Sequence, residues 1–123
     1  MMVNLHTNRI FVYSGPVDMR KSIDGLILIV CLIDDHPVID VGSTFIFLNR
    51  LKDKIKILIR ENNGFILLYK RLDKGCFKMS FENSSETSKL QMKVTQQQLR
   101  WLLDGLDYER LTPSSKTPVK HYF

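Results

Sequence analysis

Nine lysines and arginines crowd into residues 50–78 (Arg50, Lys52, Lys54, Lys56, Arg60, Lys70, Arg71, Lys74, Lys78), against three acidic residues, Asp53, Glu61 and Asp73. That segment carries +6, while the rest of the chain, with nine basic and ten acidic groups, carries −1. Positive charge gathered this way suits a polyanionic partner better than a general need for solubility. The plainer reading is a basic hairpin whose charges discourage edge-to-edge strand pairing.

Asn63-Gly64 is a strong hairpin signal, because a type I′ turn needs positive φ at both central positions. An even loop there pairs positions whose numbers sum to 127. Ile59 then opposes Leu68, Ile57 opposes Lys70 and Ile55 opposes Leu72, an apolar face from which the Lys70 stem would snorkel. The other face sets Arg60 against Leu67, Leu58 against Tyr69 and Lys56 against Arg71. Like charges placed directly opposite destabilise a strand pair. Cations around an aromatic ring make better sense if a phosphate chain and an unstacked base meet them.

A second cationic feature is "VDMRKSIDGL" (17–26). It reads as the start of a helix, with Asp18 as N-cap and Arg20 and Lys21 at the end where the dipole least favours cations. Asp24 lies at helix spacing from both, so a local ion-pair cluster is one reading. An anion held by exposed amides and two cations is the other.

Catalytic chemistry is harder to assemble. Asp18, Asp24 and Asp53 are the carboxylates a metal-dependent nuclease would need clustered. Each has a simpler use: Asp18 as a cap, Asp24 in ion pairs and Asp53 in a turn. The chain shows no Gly-rich phosphate loop, Ser-His-Asp set or Cys-His pair. Cys31 and Cys76 read as free thiols, and His6, His36 and His121 are scattered. The expectation is no catalytic residue, no metal, no cofactor and no enzymatic activity.

The elements that would position these residues follow from periodicity. "NRIFVYSG" (8–15) reads as a strand, and Ile23, Leu26, Ile27, Val30 and Ile33 mark one face of a helix after Asp18. "DDHP" would end that helix. Gly25 should weaken it by about 0.8–1.0 kcal/mol relative to Ala, which a close neighbour would justify. "STFIFLN" (43–49), "KIKILIRE" (54–61), "FILLYKRL" (65–72) and "CFKMSF" (76–81) read as an antiparallel meander, with "LQMKV" (90–94) a further strand. Thr95 and Gln98 have capping-box spacing ahead of a closing helix with Leu99, Leu102, Leu103 and Leu106 on its apolar face. The fold class expected is α+β: a single domain, with an antiparallel sheet of about five or six strands and two helices. Residues 1–110 would form the domain and residues 111–123 a flexible tail. The longest apolar run, Leu26 to Ile33, is far short of the roughly 20 residues that cross a bilayer. A cytoplasmic protein without membrane contact is expected.

The ordered blocks "SGPVDMRKSIDGL", "FIFLNRLKDKIKIL", "YKRLDKGCF" and "QQLRWLLDGLDYER" resemble one family, the TnpB-like accessory protein of insertion-sequence-66 transposable elements, the product of their second open reading frame. The resemblance runs from about Arg9 to Arg110. It puts Asp18, Arg20, Lys21, Asp24 and Gly25 of the first block at family-typical positions. Arg50, Asp53 and Lys56 match in the second, and Tyr69, Lys70, Arg71 and Gly75 in the third. Where relatives often carry large aromatics after the second block, this chain has "IKILIREN". The resemblance implies a part in bacterial transposition beside a separate transposase that performs the strand chemistry.

Charge and resemblance together lead to a non-enzymatic transposition accessory protein that binds DNA at the element ends. Arg20, Lys21, Arg50, Lys54, Lys56, Arg60, Tyr69, Lys70 and Arg71 are the expected contacts, and Asp18, Asp24, Gly25, Asp53 and Gly75 the motif residues around them. The alternative is a module that docks on the element's large transposase, with a small metal-dependent nuclease as a distant third. Oligomeric state is not legible in the sequence.

Overall fold

A computed structural model describes residues 9–34, 39–79, 90–91 and 94–104. In chain order the elements are β1 (Arg9–Pro16), α1 (Ile23–Asp34), β2 (Ser43–Leu48), β3 (Lys54–Glu61), β4 (Gly64–Arg71), β5 (Leu90–Gln91) and α2 (Gln96–Leu103). The architecture is α+β, with two helices and a mixed sheet in the order β4-β3-β2-β1, to which the two-residue β5 adds beside β1.

The expected all-antiparallel sheet is corrected at its centre. β1 and β2 are parallel, with Phe11 opposite Phe45 and Val12 opposite Ile46, whereas β2–β3 and β3–β4 are antiparallel. The physical reason is α1: adjacent parallel strands need a long crossover, and a helix between them supplies it. Every residue of β2 is buried, as expected of a strand covered on both faces. The run at 76–81 also differs. Cys76 to Met79 is not a strand, although Phe77 and Met79 are buried; residues 80–81 lie outside the described residues. Instead the Phe77 N–H donates to the Lys52 carbonyl at 2.6 Å.

The hairpin register is corrected too. Glu61 opposes Gly64, Lys56 opposes Tyr69, Ile55 opposes Lys70 and Lys54 opposes Arg71. The loop is therefore Asn62-Asn63, one residue earlier than read, and neither residue has the positive φ that a type I′ turn requires. The slip is two residues, so every side chain keeps its expected face, but Lys56 and Arg71 are not opposite one another.

Both faces of the sheet are covered. Ile10, Ile46, Leu48, Ile55, Ile57 and Ile59 pack with Leu99 and Leu102 of α2 and with Phe77 and Met79. On the opposite face Phe45, Phe47 and Leu58 pack with Val17 and with Leu26 and Val30 of α1. The capping box of α2 forms: Thr95 Oγ1 accepts from the Gln98 N–H at 3.1 Å, and Gln98 Oε1 accepts from the Thr95 N–H at 2.9 Å. Trp101, absent from the expected apolar face, is buried. Outside the described residues fall Leu106, residues 35–37 of "DDHP", residues 92–93 of the expected last strand and the C-terminal tail. No helix among the described residues is long and apolar enough to cross a membrane.

Candidate nucleic-acid interface

Because β1 and β2 run parallel, their carboxyl ends emerge on the same side of the sheet. β3 begins there at Lys54 and β4 ends there at Arg71. This topology gathers the loop after β1, the loop after β2 and the last residues of β4. The carboxyl ends of parallel strands are where open α/β sheets bind ligands. A groove of about 610 Å³ opens at this point, lined by Pro16 to Arg20, Asn49 to Leu51, Lys54 and Tyr69.

The first wall leaves the sheet through a register shift in β1 between Val12 and Pro16, after which the Val17 N–H donates to the Leu48 carbonyl at 2.8 Å. Here the expected helix start is corrected. Asp18 does not cap α1, which begins five residues later at Ile23. Its Oδ1 accepts from the Arg20 N–H at 2.9 Å, and the Lys21 N–H donates to the Asp18 carbonyl at 3.1 Å. These bonds close a tight turn of the kind Asp favours. The Leu26 N–H reaches the Ser22 carbonyl at 3.0 Å, so Ser22 occupies the N-cap position.

Arg20 and Lys21 thus precede the helix and do not stand in its first turn. The Arg20 guanidinium clasps the Asp18 carboxylate, with Nη2 2.7 Å and Nε 3.0 Å from Oδ2. Donation from the Arg20 side chain, then from its backbone N–H, holds the Asp18 carboxyl at about 2, below its usual value. Asp24 stands exposed in the first turn of α1, where a negative charge is favourable, and makes no ion pair among the described residues. Among the described residues no other element comes as close to Gly25 as the Lys21 stem four residues back, where an added Cβ would lie 3.3 Å from the Lys21 Cβ.

The second wall is held by Asn49, which the sequence reading did not single out. Its Nδ2 donates to Asp53 Oδ1 at 2.6 Å, and its Oδ1 accepts from the Lys54 N–H at 3.0 Å. Asp53 is therefore a loop brace. Its carboxyl is held below the usual value, first by Asn49 and then by the nearby cations Lys54 and Arg71. The signal was present in "NRLKD", an Asn and an Asp four residues apart in a turn. Arg50 projects exposed from this braced loop.

Of the expected contacts, Arg20, Arg50, Lys54 and Tyr69 line the groove. Arg71 is exposed beside it as the ladder partner of Lys54. Lys56 has a different place. It is 8% exposed, its Nζ donates to the Lys21 carbonyl at 2.7 Å, and the same ammonium lies 5.3 Å from the Tyr69 ring centre. It supports the groove from beneath. Arg60 sits near the hairpin loop, its guanidinium 4.8 Å from the Phe65 ring centre and bonded to the Gly64 carbonyl at 3.2 Å. Lys70 faces the other way and donates to the Leu103 carbonyl at the end of α2, where a cation complements the dipole. Gly75, after β4, has φ +76, a left-handed conformation that glycine adopts readily. Among the described residues no three His, Cys, Asp or Glu side chains are grouped to hold a metal ion.

A mixed sheet flanked by two helices makes a small α+β domain, with Arg20, Arg50, Lys54, Asp18 and Tyr69 lining a groove at its strand ends. The chain belongs to the IS66 Orf2-like protein family, whose match covers residues 8–113. It is thereby an accessory protein of IS66 insertion sequences, which implies a part in transposition. Two proteins of Sinorhizobium fredii (strain NBRC 101917 / NGR234) are similar to it. Uncharacterized protein y4jC is 28% identical over 115 residues, covering 91% of this chain and 88% of the relative. Uncharacterized protein y4hO is 30% identical over 100 residues, covering 81% and 82%. No solved structure matches the chain.

Proposed function

We propose that this accessory protein serves transposition as a non-catalytic nucleic-acid-binding protein, gripping the phosphate chain of the element ends in the groove at the ends of β1, β2 and β4. The observation that carries the reading is convergence: Arg20 and Arg50 from two separate loops and Lys54 from the start of β3 line one concavity together with an exposed aromatic, Tyr69. Asp18 is the one carboxylate in that lining. A second observation supports it. Lys54 and Arg71 are directly opposite on β3 and β4; with the Asp53 carboxylate acting on both, the strand ends keep a net positive charge beside the groove that suits a phosphate. Gel shifts on the element's terminal repeats test the reading: retarded complexes that weaken with added salt are expected, and no complex at low salt would refute it.

A specific feature favours a second reading, docking on the large transposase. Leu28 and Leu32 on α1 are 58% and 73% exposed, one helical turn apart on one face. Exposed apolar residues grouped in this way suit a protein partner. Co-purification with the transposase, lost in a Leu28→Gln/Leu32→Gln double variant that still shifts DNA, would assign the two surfaces separate roles.

A further inference from the structure

We infer that the groove takes an unpaired nucleotide, with Tyr69 as the stacking platform, so that the preferred ligand is single-stranded nucleic acid and not intact duplex. The inference rests on the nucleic-acid reading above and goes on to say which form is bound.

Three observations lead to it. The site is an open groove of about 610 Å³, large enough for a nucleotide to lie in it. Reading a duplex calls for the opposite shape, a helix or β-ribbon protruding into the major groove. Neither α1 nor α2 does so at this place, because both lie against the sheet. An unpaired nucleotide, in contrast, projects from its strand and can enter a concavity.

The second observation is Tyr69 itself. It is 55% exposed although it sits in a β-strand, opposite Lys56 and two positions before Arg71 on the same face. The Lys56 ammonium, fixed by the Lys21 carbonyl, lies over one face of the ring at 5.3 Å from its centre, which helps hold the ring in place and leaves the opposite face for a base. Bases inside a duplex already stack on their neighbours and offer no face to such a ring. A single strand or a flipped nucleotide does offer one.

The third is the arrangement of charge. Arg20, Arg50 and Lys54 stand around the same concavity as the ring. Cations that follow a backbone beside an aromatic that accepts a base are the recurring design of single-strand sites.

The test is fluorescence anisotropy of the full chain with labelled twelve-residue oligothymidine and with a blunt duplex of 20 base pairs, each titrated at 50 and 200 mM salt. The single strand is expected to bind more tightly than the duplex. Tyr69→Ala should weaken single-strand binding by on the order of 5- to 100-fold, while Tyr69→Phe, which keeps the ring, should bind within about twofold of the parent. Far-ultraviolet circular dichroism and a denaturant midpoint confirm that both variants fold. Duplex bound as tightly as single strand, with Tyr69→Ala indifferent, would overturn the inference and leave the nucleic-acid reading standing. Failure to bind either ligand would overturn both.

Discussion

The Lys56 ammonium is held between two groups: it donates to the Lys21 carbonyl at 2.7 Å and lies 5.3 Å from the Tyr69 ring centre. One side chain thus ties the turn before α1 to the third and fourth strands. A lysine in a basic segment is here a strut, and the variants that probe it must be read as structural.

Lys56→Met keeps the aliphatic stem and removes the bond. A buried hydrogen bond made by a charged donor contributes more than a neutral one, so a loss of about 1–3 kcal/mol is expected in urea denaturation, with an unchanged m-value. The same variant should bind nucleic acid less tightly while the slope of log K against log salt stays at the parent value, because Lys56 neutralises no phosphate. A flattened slope would make it a direct contact.

Asp18 gives a pH signature. Its carboxyl is lowered to about 2 by Arg20, so the folded state favours the carboxylate more than the unfolded chain does. The stabilisation is fully present above about pH 4, the ordinary carboxylate range, and is lost as pH falls through about 2. Asp18→Asn should therefore be the less stable protein at pH 6, with the difference from wild type closing between about pH 4 and pH 2. Both partners are exposed, so the difference will be small. At neutral pH the variant also frees Arg20, and single-strand affinity should rise, with a slope steeper by up to about 0.7. Weaker binding would mean that Asp18 orients Arg20 for the ligand.

Thr44 in β2 is fully buried, and its hydroxyl has no hydrogen-bond partner among the described residues. An unsatisfied buried polar group costs about 1–3 kcal/mol. Thr44→Val has nearly the same shape and should raise the denaturation midpoint, by about 1 kcal/mol in stability. A lower midpoint would show that the hydroxyl is satisfied in solution.

How far the sequence carried these conclusions can be traced residue by residue. Strands β1 to β4 were legible because β-branched and aromatic runs stand between clear turns, and α2 because Thr95 and Gln98 spell out its cap. The direction of β1 against β2 was misread as antiparallel, although a helix between two strands is the mark of a parallel pair. The hairpin faces survived an error in register because the slip was even. The start of α1 was misplaced because Asp18 fits an N-cap and a tight turn equally well, and only the Leu26 to Ser22 bond distinguishes them. Arg20, Arg50 and Tyr69 were legible as candidates by type, but not their meeting. That depends on parallel β1 and β2 ending together, a relation between residues some 30 to 50 positions apart that no local pattern encodes.

The most direct test of the account is the salt dependence of oligothymidine binding by Arg50→Ala. Arg50 is exposed on a loop braced by Asn49 and Asp53 and makes no ion pair among the described residues, so its loss should leave stability within about 0.5 kcal/mol. If the groove grips the phosphate chain, the log–log slope should become shallower by about 0.7, the value for one phosphate on a single strand. A parent-like slope with parent-like affinity would contradict the account, because an exposed groove cation held in no ion pair among the described residues would then contribute nothing to binding.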